Sequence, residues 1–340
     1  MPERKPMTPE AEAAWRLLLL NWLLTAGMIA ALGLSLAVTN FSLVPSSLVV
    51  TFGFVAAYGG FAYANARSQS RRDPQVMFVL GATAQIVLII AIMTPLTYVA
   101  ASTNLPLQDE NLLFIDRMLG LDWLAYASFV NDHPQLASWL SYGYSMIRWP
   151  IFAIPVVLAA KGHYQRIVEF TFAFGVALIV TTVVSALVPA IGVYQQIGLD
   201  PTHLSNLNPQ AYLQQLRDLP LTRDGVLRQL DLSSLAGIVT FPSFHAASGI
   251  LYLWAFWSAR WMRPIAILAN GAMLAATPVD GGHYFIDLIA GIAIAILAVV
   301  AARWVGNRIL NPRVKRAAVS VVAGVLPDAC PTVPAENPVR

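Results

Sequence analysis

Charged residues are scarce in this sequence. Only 11% of its 340 residues are Asp, Glu, Lys or Arg, whereas an ordinary soluble domain carries about 25%. Hydrophobic residues make up 57% of the chain, and the mean hydropathy is +0.62. A soluble fold of this length needs a more polar exterior than these residues supply. The composition therefore excludes soluble, disordered and collagen-like proteins and predicts a membrane protein.

Cysteine and histidine are scarce too, with one Cys and five His. The single cysteine, Cys330, cannot form an intrachain disulfide. His133, His163 and His203 are scattered over separate loops, so we expect no metal at the functional site, and we expect no cofactor. The 21 basic and 18 acidic residues leave a net charge of only +3. Because so small an excess in a membrane protein reflects loop topology, we expect no nucleic-acid partner.

Long apolar runs are abundant. A hydrocarbon core of about 30 Å requires roughly 20 apolar residues per helix. Eight runs approach or exceed this length, at residues 14–38, 46–66, 75–101, 137–160, 168–191, 244–261, 264–278 and 283–305. We predict an all-α integral membrane protein, a polytopic helical bundle of about eight spans. The seventh run is short, and whether it crosses the membrane fully stays open.

The basic residues predict the orientation of these spans. If the N-terminus is cytoplasmic, most of the 21 Lys and Arg residues fall on the inner side, where short loops collect them. Both termini are therefore expected in the cytoplasm. Two outer segments are long, residues 102–136 and 192–240, and residues 112–130 are typical of a helix lying along the interface. Loops of this length are functional or disordered, so they form a lid or substrate entrance, or merely a connector.

Two motifs lie at the outer ends of predicted spans. Phe-Pro-Ser-Phe-His (residues 241–245) stands at the start of the sixth span, and Gly-His-Tyr-Phe-Ile-Asp (residues 282–287) opens the eighth. The chain crosses inward and back outward between them, so both motifs are expected on one side of the membrane. Ionisable residues at membrane depth are functional candidates.

His283 and Asp287 are four residues apart, so they are neighbours if both lie on one helix. An aspartate that accepts from one ring nitrogen fixes the tautomer and leaves the other nitrogen free to attack or to take a proton. Gly281 and Gly282 allow close approach of the backbone to a ligand, and the helix N-terminus favours an anion. The alternative is an ordinary buried hydrogen bond.

His245 has a similar setting. Pro242 and Ser243 are typical of a helix start, which puts His245 in the first helical turn and suits it to proton transfer. Taken alone, His245 is equally compatible with packing at the interface. Two histidines and one aspartate at one membrane face favour a site.

These residues resemble the type 2 phosphatidic acid phosphatase superfamily. The pattern Pro-Ser-x-His followed by His-x-x-x-Asp at the last span carries the resemblance. More narrowly, the motifs are similar to the inositolphosphotransferase-like branch that holds inositol phosphorylceramide synthase and the sphingomyelin synthases. The resemblance implies three parts: residues 1–74 with two extra spans, a six-span catalytic core at 75–305, and a basic, then Pro-rich tail at 306–340. We expect the tail after Lys315 to be disordered.

The resemblance also implies a mechanism. His283 would be the nucleophile that takes the phosphoryl group as a phosphohistidine, and Asp287 would orient it. His245 would protonate the leaving oxygen and then deprotonate the acceptor. The substrate would be a lipid phosphate in the bilayer, with an alcohol or lipid as a possible acceptor and no metal required.

The sequence departs from the phosphatase branch at two basic positions. That branch has Lys-x6-Arg-Pro and Ser-Arg-x5-His-x3-Asp. Here Ser141 stands at the Lys position, Pro150 follows Arg148 by two residues, and Thr277 stands six residues before His283. The departure favours transfer to an alcohol, with hydrolysis of the lipid phosphate as the alternative.

Arg148 is the best candidate to hold the phosphate. A charge near mid-span costs about 2.5–3.5 kcal/mol on insertion scales and is rarely carried without use. Ser141 and Tyr144 precede it by seven and four residues, so a continuous helix would put all three on one face. The alternative is an Arg that snorkels to the interface. We assign three further residues to the substrate site: Ser243, Gly282 and Tyr284.

We therefore expect a lipid phosphotransferase or phosphatase in a membrane, preferentially a prokaryotic plasma membrane, with its site on the outer side. Two other classes stay open. One is a proton-coupled anion or lipid transporter, although inverted repeats and broken mid-membrane helices, which are common in transporters, are not visible. The other is a lipid-binding relative without activity. The donor lipid, the acceptor and the oligomeric state are not determined by the sequence.

Overall fold

The computed structural model of the chain describes residues 7–68 and 72–323. These residues form thirteen α-helices and one pair of two-residue strands, which confirms the predicted all-α class. The elements are α1 (Pro9–Val38), β1 (Ser42–Leu43), α2 (Pro45–Arg67), α3 (Pro74–Ala101), α4 (Asp109–Met118), α5 (Trp123–Asn131), α6 (Pro134–Ser145), α7 (Pro150–Ala160), α8 (Tyr164–Leu187), α9 (Val193–Gln196), α10 (Gln210–Arg223), β2 (Gln229–Leu230), α11 (Phe244–Phe256), α12 (Arg263–Asp280) and α13 (Phe285–Ala323).

Among the described residues, five helices are long and apolar enough to cross a membrane: α1, α2, α3, α8 and the first part of α13. The α6–α7 pair meets the same test when it is counted as one span. The remaining two predicted spans coincide with α11 and α12. α11 has 13 residues and is about 20 Å long, which is shorter than the hydrocarbon core. That these two helices cross the membrane stays a prediction.

The fourth predicted span is broken. α6 ends at Ser145 and α7 begins at Pro150, and the two helix axes are bent by 67°. Proline has no N–H to donate, and its ring clashes with the carbonyl four residues earlier, so Pro150 cannot continue α6. Arg148 therefore lies in the turn between the helices. The prediction that it shares one helical face with Ser141 and Tyr144 is wrong.

α3 and α8 form the centre of the bundle. In each of them 67% of the spanning stretch is buried, against 11% in α2. Phe78 of α3, Phe170 and Phe174 of α8 and Tyr252 of α11 are among the largest fully buried side chains. α1 and α2, the two extra spans of the prediction, pack on α3, and most of the α2 surface stays exposed.

The two long predicted loops are ordered at the end of the bundle where α13 begins. We call α4, α5, α9 and α10 together the cap. The predicted interfacial helix at 112–130 is two helices, because the chain turns at Gly120, where φ is +74°. β1 and β2 pair in parallel, with Ser42 opposite Gln229. This pairing joins the α1–α2 connection to the second long segment.

The tail differs from the prediction. α13 continues to Ala323, so the chain is helical where disorder was expected to begin, after Lys315. Ala, Lys and Arg in this stretch are strong helix formers, which accounts for the extension. The predictions for residues 1–6 and 324–340 lie outside the described residues.

Candidate active site

The two motifs meet where α11 packs against α13. The Ser243 amide donates to the Asp287 carbonyl oxygen at 3.0 Å. Farther along α13, Gly291 faces the Ser243 carbonyl and Ala246 so closely that any side chain at position 291 would overlap them. Glycine at this point therefore lets the start of α11 lie directly on α13.

His283 lies in the turn before α13, since the helix begins at Phe285. The expected placement of His283 and Asp287 on one helix is wrong, yet the expected contact is made: His283 Nδ1 is 3.0 Å from Asp287 Oδ2. The same oxygen accepts from the Tyr284 amide at 2.9 Å. An acidic side chain that reaches back to the amide before its own helix is typical of a capping box. His283 is 4% exposed and Asp287 is fully buried.

The other imidazole nitrogen faces a serine. His283 Nε2 is 3.5 Å from Ser243 Oγ, and Ser243 is fully buried. As predicted, Ser243 caps α11: its Oγ accepts from the Ala246 amide at 3.3 Å. A hydroxyl that accepts in this way keeps its proton for a second partner. Asp287, His283 and Ser243 thus stand in a row, with Nδ1 of His283 bound to Asp287 and Nε2 facing Ser243 at 3.5 Å.

His245 lies in the first turn of α11, as predicted. Its ring stacks on Tyr144, with the centroids 4.1 Å apart and the planes at 11°. Gly281 separates this stack from the nucleophile candidate: a Cβ at Gly281 would lie 2.9 Å from Tyr144 Oη and 2.6 Å from His283 Cδ2. Arg148 and His283 both act electrostatically on His245. The structure therefore brings Tyr144, Arg148 and both histidines into one cluster.

The Arg148 side chain is exposed. In the part of the chain that the structure describes, no hydrogen bond or salt bridge engages its guanidinium. An exposed guanidinium without such a partner is free to bind an anion. No group of three or more His, Cys, Asp or Glu residues within the described ranges could hold a metal ion.

Ser141 is engaged elsewhere. Its Oγ donates to Asp280 Oδ2 at 2.6 Å, and the Asn208 amide approaches the second oxygen of Asp280 at 3.4 Å. Asp280 is 3% exposed. Ser141 therefore holds a buried carboxylate, and its assignment to the substrate site stays a prediction. The sequence signal for Asp280 was its place directly before the two glycines of the second motif.

Gly282 and Tyr284 are held by the cap. Gly282 has φ +66°, and a Cβ there would lie 2.5 Å from Tyr212 Cδ2. Tyr284 is fully buried, and its Oη donates to Asp109 Oδ1 at 2.9 Å. Burial raises the pKa of the Tyr284 hydroxyl and the Asp109 carboxylate raises it further, so the hydroxyl keeps its proton. Both residues flank His283 along the chain, and their assignment to substrate contacts stays a prediction.

The N-terminus of α13 is already occupied by a carboxylate. The amides of Phe285 and Ile286 each donate to Asp116 at 2.8 Å. Burial raises the pKa of Asp116, whereas these two hydrogen bonds lower it. The expectation that this helix start binds the anion is therefore wrong. Asp109 and Asp116 were not singled out from the sequence, because their partners lie more than 80 residues away along the chain.

A family model described as the PAP2 superfamily matches residues 110–301, which is more than half of the chain. The matched range begins in α4 and ends in α13, and it includes both motifs. It leaves out α1, α2 and α3. No curated protein and no solved structure matches the chain.

Proposed function

Because the chain belongs to the PAP2 superfamily, we propose that it is a membrane phosphotransferase or phosphatase that acts on a lipid phosphate ester through a phosphohistidine. The superfamily supports phosphatase or phosphotransferase activity on phosphate esters. The observation that carries the finer proposal is the row Asp287–His283–Ser243 beside His245, with hydrogen-bond distances of 3.0 and 3.5 Å.

The first half of the reaction forms the phosphoenzyme. The Nε2 lone pair of His283 attacks phosphorus, the bond from phosphorus to the leaving oxygen breaks, and His245 gives that oxygen a proton. Asp287 accepts from Nδ1 throughout and stabilises the positive charge that the imidazole gains. Ser243 donates only weakly to Nε2 at 3.5 Å, so it yields this nitrogen to the phosphate.

The second half returns the enzyme to its first state. His245 takes the proton of the acceptor hydroxyl, the acceptor oxygen attacks phosphorus, and the phosphorus–nitrogen bond breaks. Arg148 binds the phosphoryl oxygens in both halves, since a planar guanidinium matches two of them at once. Its exposure and its freedom from salt bridges support this role.

A lipid substrate is supported by the lengths of the two helices that carry the site. α7 and α11 have 11 and 13 residues, so they rise about 16 and 20 Å, less than the hydrocarbon core of about 30 Å. Both helices run from the site toward the same end of the bundle, where Gly162 and Ser258 line one cavity. We infer from these lengths that Arg148, two residues before α7, and His245, in the first turn of α11, are recessed into the bilayer.

We further propose transfer to an alcohol, in the manner of the inositolphosphotransferase-like branch. Ser141 and Thr277 replace two cations of the hydrolase pattern, and Ser141 is bound to Asp280. Hydrolysis is the alternative if water reaches the phosphohistidine. We place the site on the outer side of a prokaryotic plasma membrane, with both termini inside, on the distribution of Lys and Arg.

The test uses purified protein in detergent beside its His283→Ala variant. A panel of lipid phosphates is supplied with and without alcohols, including inositol and diacylglycerol, and free phosphate and lipid products are followed together. A new phospholipid that needs both His283 and an alcohol supports transfer. Phosphate release that needs His283 alone identifies a phosphatase. No His283-dependent product from any lipid phosphate contradicts the proposal.

A further inference from the structure

α4 buries charged groups and exposes apolar ones. Asp109 and Asp116 are 4% and 0% exposed, whereas Phe114 and Met118 are 62% and 72% exposed. Seven residues are two helical turns, so the two aspartates share one face. Because a buried carboxylate is costly unless it is hydrogen-bonded, each of them must be held by a specific set of donors.

Asp116 caps α13 from outside that helix. Its two oxygens accept from the amides of Phe285 and Ile286, each at 2.8 Å. The hydroxyl of Tyr284, the residue before α13, is bound to Asp109, so this side chain does not cap the helix locally. The carboxylate also lies at the positive end of the helix dipole, where a negative charge is stabilising. Asp116 therefore fixes the first turn of α13, two and three residues beyond His283.

Asp109 holds the same turn from the other side. It accepts from Tyr284 Oη at 2.9 Å and from the Gly192 amide at 2.9 Å. The next amide along the chain, that of Val193, donates to the Gly282 carbonyl at 3.0 Å. Through Tyr284 and the 192–193 backbone, Asp109 thus reaches both neighbours of His283.

We propose, on the basis of the function proposed above, that Asp109 and Asp116 are positioning residues that together hold the turn at 282–286 and thereby aim His283 Nε2 at the phosphorus. Neither carboxylate touches the open side of the imidazole. Their action runs through the backbone on both sides of His283. Through these two residues the cap positions the nucleophile and does more than cover the bundle.

The first measurement is hydrogen exchange in nanodiscs, which does not depend on knowing the substrate. Asp116→Asn keeps the shape of the side chain but replaces one acceptor oxygen with a donor. We expect the amides at 283–287 to exchange about tenfold faster, since a hydrogen bond to a charged group is lost. Glu110→Gln is the matched control, because Glu110 is exposed on the same helix and loses the same charge.

Asp109→Asn is the milder second variant, because its amide oxygen still accepts from Gly192 or Tyr284. Unchanged exchange at 283–287 in both variants overturns the inference. So does failure of both variants to fold, because the two aspartates would then hold the whole structure and not this turn. Faster exchange in Glu110→Gln would also overturn it, since loss of charge alone would be sufficient.

The second measurement is turnover of the lipid phosphate that the wild type uses. A small misplacement of the nucleophile lowers kcat on the order of 100-fold, while KM stays within about twofold because ground-state binding is kept. Faster amide exchange at residues 283–287 together with an unchanged kcat in the same variants overturns the positioning role. If the wild type turns over no lipid phosphate, the proposed function fails and the aiming at phosphorus fails with it. The exchange experiment then decides whether the two aspartates hold the turn at 282–286.

Discussion

The ring of Tyr144 lies flat on the ring of His245, at 4.1 Å between centroids. Tyr144 belongs to α6, just before the break at 146–149, and His245 belongs to the first turn of α11. The stack therefore joins the bent helix pair to the helix that carries the proposed proton donor. Burial and the charges of His283 and Arg148 disfavour the protonated His245 imidazole. An aromatic face stabilises a cation above it, so Tyr144 acts against these effects when His245 carries the proton.

The stack gives a prediction that separates the Tyr144 ring from its hydroxyl. Tyr144→Phe keeps the aromatic face, and we expect kcat within about threefold of wild type. Tyr144→Leu loses the face, and we expect kcat to fall about tenfold, as loss of roughly 1.4 kcal/mol of cation–π stabilisation implies. Steady-state kinetics of the two variants make the comparison. Equal losses in both would assign the effect to the hydroxyl beside Gly281 and contradict a role for the stack.

Replacing His283 or Asp287 tests the nucleophile directly. His283→Ala should reduce turnover to background and remove any acid-labile phosphoenzyme trapped with radiolabelled substrate. Asp287→Asn should lower kcat about a thousandfold, since the amide cannot hold the same imidazole tautomer. Thermal unfolding controls for the fold. Substantial turnover by both folded variants would contradict the assignment.

Arg148→Lys should raise KM on the order of tenfold, because the two-pronged contact to the phosphoryl oxygens is lost while the charge is kept. Arg117→Lys is the control, since Arg117 is an exposed residue of α4 outside the cluster. Lipid-phosphate kinetics in mixed micelles report both variants. An unchanged KM in Arg148→Lys would contradict phosphate binding by Arg148 and favour the alternative, a side chain that snorkels to the interface.

Gly282→Ala should destabilise the protein and lower its activity. A non-glycine residue at φ +66° is strained, and its Cβ would meet Tyr212 at 2.5 Å, which together cost about 1–3 kcal/mol. Gly271→Ala is the control: nothing lies within 4 Å of its Cβ, and alanine in a helix interior gains about 0.5–1 kcal/mol over glycine. Thermal unfolding of both variants gives the difference. Wild-type stability and activity in Gly282→Ala would mean that Tyr212 moves aside at little cost, which contradicts the prediction.

Local chemistry made parts of the site predictable. Pro242 and Ser243 predicted the start of α11 and therefore the position of His245 in its first turn. The spacing of His283 and Asp287 predicted their contact, although the contact comes from a turn and not from within a helix. The reason is that Asp287 caps the start of its own helix through the Tyr284 amide, so the helix begins at Phe285 and His283 stays in the preceding turn.

The remaining features depend on partners far away along the chain. Asp116 reaches amides 169 and 170 residues later, and no local pattern in α4 indicates this. The expected anion site at α13 failed for the same reason, because a carboxylate from elsewhere already fills it. The break before Pro150 follows from the inability of proline to donate a backbone hydrogen bond. The continuous apolar run at residues 137–160 nevertheless predicted one unbroken span.

The short strand pair bears on where the folding unit ends. Ser42 and Leu43 pair with Gln229 and Leu230, so the segment that follows α1 is hydrogen-bonded to the second long segment, residues 192–240. Tyr98, also upstream of the matched range, donates to Asp218 at 2.9 Å. A chain shortened to begin at residue 110 would lack α3, which lies at the centre of the bundle. It would also leave β2 without its partner strand and the buried Asp218 without the Tyr98 hydroxyl. The family match thus begins at residue 110, whereas the contacts that hold the fold together begin further upstream. A shortened protein for expression should keep these upstream residues.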